Sequence, residues 1–244
     1  MIRDPIIEDP NPATKLGSPD LPVSFACRSG MAFILAGGQS SRMGTDKALA
    51  LFNGISLIQN AVNILASTGL PTRIAGSRSS LEACAPVVSD TFSDSGPLAG
   101  IHAALASSDA EWSLFLPVDL PLMPSSLLTC LLQRAILTAA PVTIARLNGR
   151  IEPFPAVLHR TMLPGIESQL RAGRCTVRET WQQAAYGLGS AIDSVAVENL
   201  LQCGQCHHPM SLPPCLWFQS ANTPADLAYL NRVNSITPRE SSHS

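Results

Sequence analysis

The residues best suited to chemistry lie in one glycine-rich segment, which runs Leu35-Ala-Gly-Gly-Gln-Ser-Ser-Arg-Met-Gly-Thr-Asp-Lys47. Its adjacent glycines, Gly37 and Gly38, allow backbone N–H groups to approach a ligand closely. Arg42 and Lys47 add two cations to the same short segment, and these suit the charge of a triphosphate. The spacing matches neither a Gly-Lys-Ser/Thr loop nor a Gly-x-Gly-x-x-Gly turn. We therefore predict a phosphate-binding loop of a different type.

Short apolar runs alternate with segments of helical periodicity along the chain. This alternation predicts an α/β fold: a three-layer, Rossmann-like, open and mostly parallel sheet with helices on both faces. Ligands of such sheets bind beyond the carboxyl ends of the strands, and Gly37 follows one predicted strand while Asp119 follows another. The predicted strands cover residues 31–36, 72–75, 86–89, 113–118 and 142–145, and the predicted helices cover 56–68, 98–107 and 125–139.

The folded domain is predicted to span residues 31–234. Residues 1–30 contain five prolines and no apolar periodicity, which is typical of a disordered tail, and residues 235–244 form a second, polar tail. A loop insertion is expected at about residues 202–216. We find no internal repeat.

Composition excludes several classes of protein. Of 244 residues, 45% are hydrophobic and 14% charged, so the chain can build a large core, and its net charge of −2 argues against a nucleic-acid-binding protein. No apolar run is long enough for a transmembrane helix, so no membrane contact is expected. The first residues carry acids and prolines instead of a basic, apolar signal sequence, and this favours a cytoplasmic location.

The glycine-rich segment resembles the signature of nucleotidyltransferases that act on the molybdenum cofactor, of the guanylyltransferase (MobA) type. The paired glycines and the Asp-Lys ending carry much of the resemblance, which extends from residue 31 to about residue 230. It implies the fold of the nucleotide-diphospho-sugar transferases. The further matching motifs, in chain order, are Asp90, Gly96-Pro-Leu-Ala-Gly100, Asp119-Leu-Pro-Leu-Met-Pro124, Gly149-Arg-Ile-Glu-Pro153, Leu170-Arg-Ala-Gly173 and Asn222-Thr-Pro-Ala-Asp226.

The resemblance implies a reaction in which the terminal phosphate of molybdopterin attacks the α-phosphorus of GTP and releases pyrophosphate. It assigns catalysis to Arg42, Lys47 and Asp119, and it assigns a Mg²⁺ ion to Asp119, because this ion prefers oxygen ligands and phosphates. Arg150 and Arg174 would bind the pterin substrate, although a hairpin or helix-end role stays open for each. The implied nucleotide-binding residues are Leu35, Ala36, Gly37, Gly38, Lys47, Asp90, Gly96, Pro97, Leu98 and Asp119.

Three alternatives to a guanylyltransferase stay open: a molybdopterin cytidylyltransferase, another nucleotidyltransferase, and a non-catalytic module that delivers cofactor to a molybdoenzyme. The presence of Arg42, Lys47 and Asp119 together favours an enzyme. The expected partners are GTP and molybdopterin, with transient contacts to molybdenum-insertion proteins or apo-molybdoenzymes. Two departures weaken the assignments of base specificity and C-terminal anchoring: residues 74–77 lack an Asn beside the base, and Ser220 replaces another Asn.

Cys203, Cys206 and Cys215 form a cluster near two histidines, His207 and His208. The string Cys203-Gly-Gln-Cys206-His207 satisfies the haem c attachment pattern, but that chemistry requires export. A zinc site stays open, although the spacing lacks a second compact pair of ligands. We favour a surface loop, because the segment contains several prolines and few large apolar residues. Replacing the three cysteines by serine is then expected to leave stability and activity near those of the wild type.

Overall fold

The computed structural model describes residues 30–37, 46–90, 92 and 95–236. The predicted tails fall almost entirely outside these ranges, and so do Gly38 and Arg42. The first strand begins at Gly30 and the last helix runs to Ile236, so regular structure exceeds the predicted domain slightly at both ends. In the described part of the chain, no helix is both long and apolar enough to cross a bilayer.

A seven-stranded sheet with the order β5-β4-β1-β6-β8-β7-β9 forms the centre of the molecule. All its neighbouring strands are parallel except those that pair with β8, which runs antiparallel to β6 and β7. The prediction of a mostly parallel sheet is therefore confirmed. Its strands are β1 (Gly30–Leu35), β4 (Thr72–Ala75), β5 (Val87–Val88), β6 (Trp112–Pro117), β7 (Val142–Leu147), β8 (Arg150–His159) and β9 (Asp193–Ala196), while β2 (Leu51–Phe52) and β3 (Ile55–Ser56) form a separate hairpin.

Helices cover both faces of the sheet, as the sequence predicts. Successive side chains of β1 point to opposite faces: Ala32 and Ile34 belong to one buried apolar cluster, and Phe33 and Leu35 belong to the other. The helices are α1 (Leu57–Ala66), α2 (Pro97–Ala106), α3 (Ser125–Thr138), α4 (Leu163–Arg171), α5 (Val177–Gly187), α6 (Val197–Gln202), α7 (Pro214–Trp217) and α8 (Pro224–Ile236). The first cluster includes side chains of α1 and α3, and the second includes side chains of α2, α4 and α5.

The antiparallel direction of β8 has a consequence for the site. The carboxyl ends of β1 and β6 lie at one edge of the sheet, and β8 begins at that same edge because it runs the other way. The β7–β8 turn at Asn148 and Gly149, where both residues have positive φ, reverses the chain there. The first residues of β8 are thereby brought beside the strand ends predicted to bind ligands.

The cysteine segment between α6 and α7 is not a plain surface loop. Cys206 is only 2% exposed and belongs to the larger apolar cluster, because the segment packs against α3. The Cys206 thiol lies 3.4 Å from Ser126 Oγ, and Ser126 Oγ donates a hydrogen bond to the His207 carbonyl oxygen at 2.6 Å. The surface-loop interpretation is therefore wrong for Cys206, although Cys203 and Cys215 are exposed.

Nothing in the described ranges supports a zinc site in this segment. No group of three or more His, Cys, Asp and Glu side chains among those residues is arranged to bind a metal ion. Burial raises the pKa of the Cys206 thiol, whereas a thiol must lose its proton to bind zinc.

The expectation for the cysteine variants changes accordingly. We predict that Cys206→Ser lowers the free energy of unfolding by about 1 kcal/mol, because it places a more polar hydroxyl in a buried position. Cys203→Ser is the matched control and should leave stability unchanged, since Cys203 is exposed. Urea unfolding of the two variants checks the difference, and equal midpoints would contradict the burial of Cys206.

Candidate active site

A cavity of about 310 Å³ opens at the edge of the sheet where β1 and β6 end. Leu35 and Gly37 line it from the end of β1, and Asp119 lines it from the end of β6. The remaining wall comes from the start of α2, the start of β8 and the segment that precedes α8. These further lining residues are Lys47, Pro97, Pro117, Val118, Leu120, Glu152, Pro153, Phe154, Phe218 and Ser220.

An ion pair between Lys47 and Asp119 lies in the wall of this cavity. Lys47 Nζ donates to Asp119 Oδ2 at 2.7 Å and to Asn222 Oδ1 at 2.6 Å. The side chains of Lys47 and Asp119 are 19% and 20% exposed, so both groups can meet a ligand. The structure thus brings together the two predicted catalytic residues that fall within its described ranges.

Local structure fixes Lys47 and Asp119 separately. Lys47 opens a 3-10 turn, Lys47–Leu49, which Asp46 caps by accepting a hydrogen bond from the Ala48 N–H at 3.0 Å. Asp46 also forms an ion pair with Arg78, so the end of the glycine-rich segment is tied to the loop after β4. The backbone oxygen of Asp119 accepts a hydrogen bond from the Ala221 N–H at 2.9 Å.

Asn222 belongs to a motif of the sequence but was not among the predicted site residues. Its backbone N–H and that of Thr223 donate to Asp226 Oδ2 at 3.1 and 2.8 Å, and the Asp226 N–H donates back to Thr223 Oγ1. This is the reciprocal cap of a helix N-terminus, here that of α8. The sequence pattern Thr-x-x-Asp predicts this helix cap. No local sequence pattern predicts the contact between Asn222 and Lys47.

The middle of α8 is tied to the β2–β3 hairpin. Asn53 donates its backbone N–H to Asn231 Oδ1 at 2.8 Å. Because the same helix begins beside Asn222, this contact fixes the distance between the hairpin and the cavity wall. Asn222 and Asn231 thus connect the C-terminal segment to Lys47 and to the hairpin, while Ser220 lines the cavity.

Backbone contacts shape the side of the cavity that lies at the end of β1. The Ala36 N–H donates to the Ala75 carbonyl at 3.2 Å, and the Val118 N–H donates to the Leu35 carbonyl at 3.1 Å. Gly76 has φ of +144°, and a Cβ atom there would lie 3.3 Å from the nitrogen of Gly37. Only glycine fits this close approach of the two loops without strain.

Asp90 and the start of α2 lie next to that loop. Asp90 Oδ1 is buried and has no hydrogen-bond partner among the described residues, and burial raises the pKa of the carboxyl group. Gly96 precedes α2 with φ of +60°, and Pro97 lines the cavity. Leu98 is fully buried and is not part of the cavity wall, so the structure does not bring this predicted nucleotide-binding residue to the cavity.

The two predicted pterin-binding arginines occupy different positions. Arg150 has a side chain 82% exposed, and its Nε lies 3.7 Å from Oε1 of Glu152, which lines the cavity. Arg174 donates to Gln169 Oε1 at 2.6 Å and is not part of the cavity wall. The structure therefore places Arg150 beside the site and does not bring Arg174 to it.

A mostly parallel sheet with a glycine backbone, a lysine and an aspartate at its strand ends defines a class of α/β proteins that bind nucleotide phosphates there. Residues 32–185 match the model of the MobA-like NTP transferase domain. The match covers more than half of the chain, and the chain belongs to this family.

Individual relatives agree with the family match. The chain is 38% identical to a protein of Vibrio atlanticus named molybdenum cofactor guanylyltransferase, over 57% of this chain and 74% of that protein. Among solved structures, molybdopterin-guanine dinucleotide biosynthesis protein A of Archaeoglobus fulgidus superposes with a TM-score of 0.65 at 19% identity, over 84% and 98% of the two chains. CMP:2-keto-3-deoxy-manno-octonic acid synthetase, solved in complex with CTP, superposes with a TM-score of 0.61 at 15% identity, over 85% of this chain and 98% of that one, and it shares the fold.

Asn222 lies beyond the residues of the family match, so its role can be tested separately. We predict that Asn222→Ala weakens binding of a nucleoside triphosphate with Mg²⁺ about tenfold, because the Lys47 ammonium loses one of the partners that orient it. Isothermal calorimetry measures the affinity. Asn63→Ala removes an exposed amide on α1 and should bind as the wild type does; equal affinities for all three proteins would exclude a role for Asn222.

Proposed function

We propose that this protein transfers GMP from GTP to the terminal phosphate of molybdenum-bound molybdopterin, which yields the guanine dinucleotide cofactor and pyrophosphate. The observation that carries the proposal is the Lys47–Asp119 pair, which lies in one cavity wall with the glycine backbone that follows β1. The names of the relatives support the substrates. We further propose that the reaction takes place in the cytoplasm, where GTP is available, and that the product passes by transient contact to molybdenum-insertion proteins or apo-molybdoenzymes.

The transfer needs positioning and charge neutralisation more than covalent chemistry. An oxygen of the acceptor phosphate forms a bond to the α-phosphorus of GTP, the bond from that phosphorus to the bridging oxygen breaks, and pyrophosphate leaves. Backbone N–H groups at Gly37 and Gly38 and the side chains of Lys47 and Arg42 would bind the phosphates.

Asp119 fits a Mg²⁺ ion. Its carboxylate lies at the cavity, and a single carboxylate together with substrate phosphates is a common donor set for this ion. The ion would neutralise negative charge on the phosphates during transfer. Lys47, which contacts Asp119 Oδ2, would then share its charge between this carboxylate and the phosphates.

Guanine needs hydrogen-bond acceptors for its N1–H and 2-amino donors. We infer that backbone carbonyl groups after β1 supply them, and those of Ala36 and Gly37 are better placed for this than that of Leu35, which accepts from Val118. A site built on such bonds strongly disfavours bases that lack the donors. Incubating the protein with molybdopterin cofactor, Mg²⁺ and each of the four nucleoside triphosphates should give product and pyrophosphate from GTP. Equal use of CTP in competition would favour the cytidylyltransferase alternative.

Asp119→Ala tests the role of the carboxylate. We predict that turnover falls by roughly 10²-fold or more while the fold persists, because the backbone oxygen that accepts from Ala221 is retained. Asp109→Ala removes an exposed carboxylate at the opposite end of β6 and should turn over as the wild type does. The steady-state rate of pyrophosphate release is measured against Mg²⁺ concentration. A near wild-type rate with unchanged Mg²⁺ dependence in Asp119→Ala would show the metal assignment to be wrong.

A further inference from the structure

Glu152 is an acidic residue in the wall of a cavity that would bind highly anionic substrates. Its side chain is 18% exposed. Among the described basic side chains, only that of Arg150 lies within ion-pair distance of it. Burial raises the pKa of its carboxyl group, and Arg150 offsets this shift only in part. A carboxylate near phosphates is unfavourable unless it meets a cation or hydrogen-bond donors. Arg150 lies 3.7 Å away with a side chain that is 82% exposed, and the proposed transfer gives Glu152 no further cation or hydrogen-bond donor.

The position of Glu152 indicates which substrate it faces. The glycine-rich segment and Lys47 lie beside the end of β1, whereas β8 lies on the far side of β6 from β1. In an in-line transfer, the attacking and leaving oxygens lie on opposite sides of the α-phosphorus. If the pyrophosphate is bound on the β1 side, the acceptor enters from the side of β8, where Glu152 lies.

The wall around Glu152 suits a flat heterocycle. Pro153, Phe154 and Phe218 give it apolar ring surfaces. The Phe154 ring meets the buried Trp181 ring edge-on, with centroids 6.2 Å apart, and Trp181 Nε1 donates to the Pro153 carbonyl at 3.4 Å. These contacts make the wall rigid, and a rigid apolar wall with one carboxylate binds a planar ring that has N–H donors on its edge.

We propose that the Glu152 carboxylate accepts hydrogen bonds from the two N–H groups on the 2-amino-4-oxopyrimidine edge of the pterin substrate, with Phe154 packed against the ring. This inference rests on the proposed function, since that function supplies the pterin. The N3–H and 2-amino groups of a pterin point the same way in one plane, as the two oxygens of a carboxylate require. Glu152 is thereby a specificity-determining residue for the acceptor.

Glu152→Gln in the full chain tests the proposal, because it keeps the shape of the side chain and removes the charge and one acceptor. We expect the KM for molybdopterin to rise by about tenfold or more, with calorimetric binding of GTP and Mg²⁺ unchanged within about twofold. Glu152→Asp keeps a carboxylate, so its KM for molybdopterin should lie between those of the wild type and Glu152→Gln. Glu111→Gln changes an exposed carboxylate next to the start of β6, outside the cavity wall, and serves as the matched control.

Three results would overturn the inference. A parallel rise in the KM for GTP would assign Glu152 to the guanine base, which has a similar donor edge. A higher Mg²⁺ requirement at an unchanged KM for the acceptor would assign it to the metal. If the KM for GTP, the KM for the acceptor and the Mg²⁺ requirement are all unchanged, Glu152 has no role in binding.

A second readout separates this inference from the proposed function. Free pterin is fluorescent, and its binding to the protein is measured directly, without transfer, in the presence of GTP and Mg²⁺. If the wild type makes no guanine dinucleotide but binds pterin in a way that Glu152→Gln weakens, the proposed function fails and the inference stands. If pterin binds the wild type and Glu152→Gln equally, or binds neither, the inference fails whatever the activity.

Discussion

The ion pair between Lys47 and Asp119 is the contact on which the arrangement of the site depends. It joins the end of the glycine-rich segment to the end of β6, and Asn222 joins the same ammonium group to the start of α8. Three distant parts of the chain therefore meet at one nitrogen atom. Partly buried ion pairs add little to stability, because desolvation cancels much of their attraction. In the proposed function, the importance of this pair is the charge that it presents to phosphates.

Two other carboxyl groups near the strand ends fit the same interpretation. Asp90 has a buried oxygen without a partner among the described residues, and Glu152 lines an apolar wall; burial raises the pKa of both. At neutral pH each ionised group lowers the stability of the fold, and this cost disappears as the pH falls through its raised pKa. A ligand that brings donors or a cation would remove the cost at neutral pH. The ligand-free protein thus carries electrostatic strain at the positions where binding is proposed.

Much of the fold could be predicted from local sequence, because periodicity and caps are local. The start of α1 is an example: Ser56 accepts from the Gln59 N–H at 3.3 Å, as its capping pattern predicts. The parallel-strand rule likewise placed Gly37 and Asp119 at one edge. Contacts between distant residues left no such signal. The approach of Asn222 to Lys47, the burial of Cys206 against α3, and the antiparallel direction of β8 that brings Glu152 to the cavity all depend on tertiary packing.

A crystal structure with Mg²⁺ and a GTP analogue whose α–β bridge cannot be cleaved tests the central arrangement most directly. The nucleotide phosphates should accept hydrogen bonds from the Gly37 backbone and from Lys47 Nζ, and the metal should bind an oxygen of Asp119. The base should lie on the side of β1 and α2, so that the wall formed by Glu152 and Phe154 stays open for an acceptor. A nucleotide bound elsewhere, or an Asp119 carboxylate that contacts neither metal nor Lys47, would contradict this arrangement.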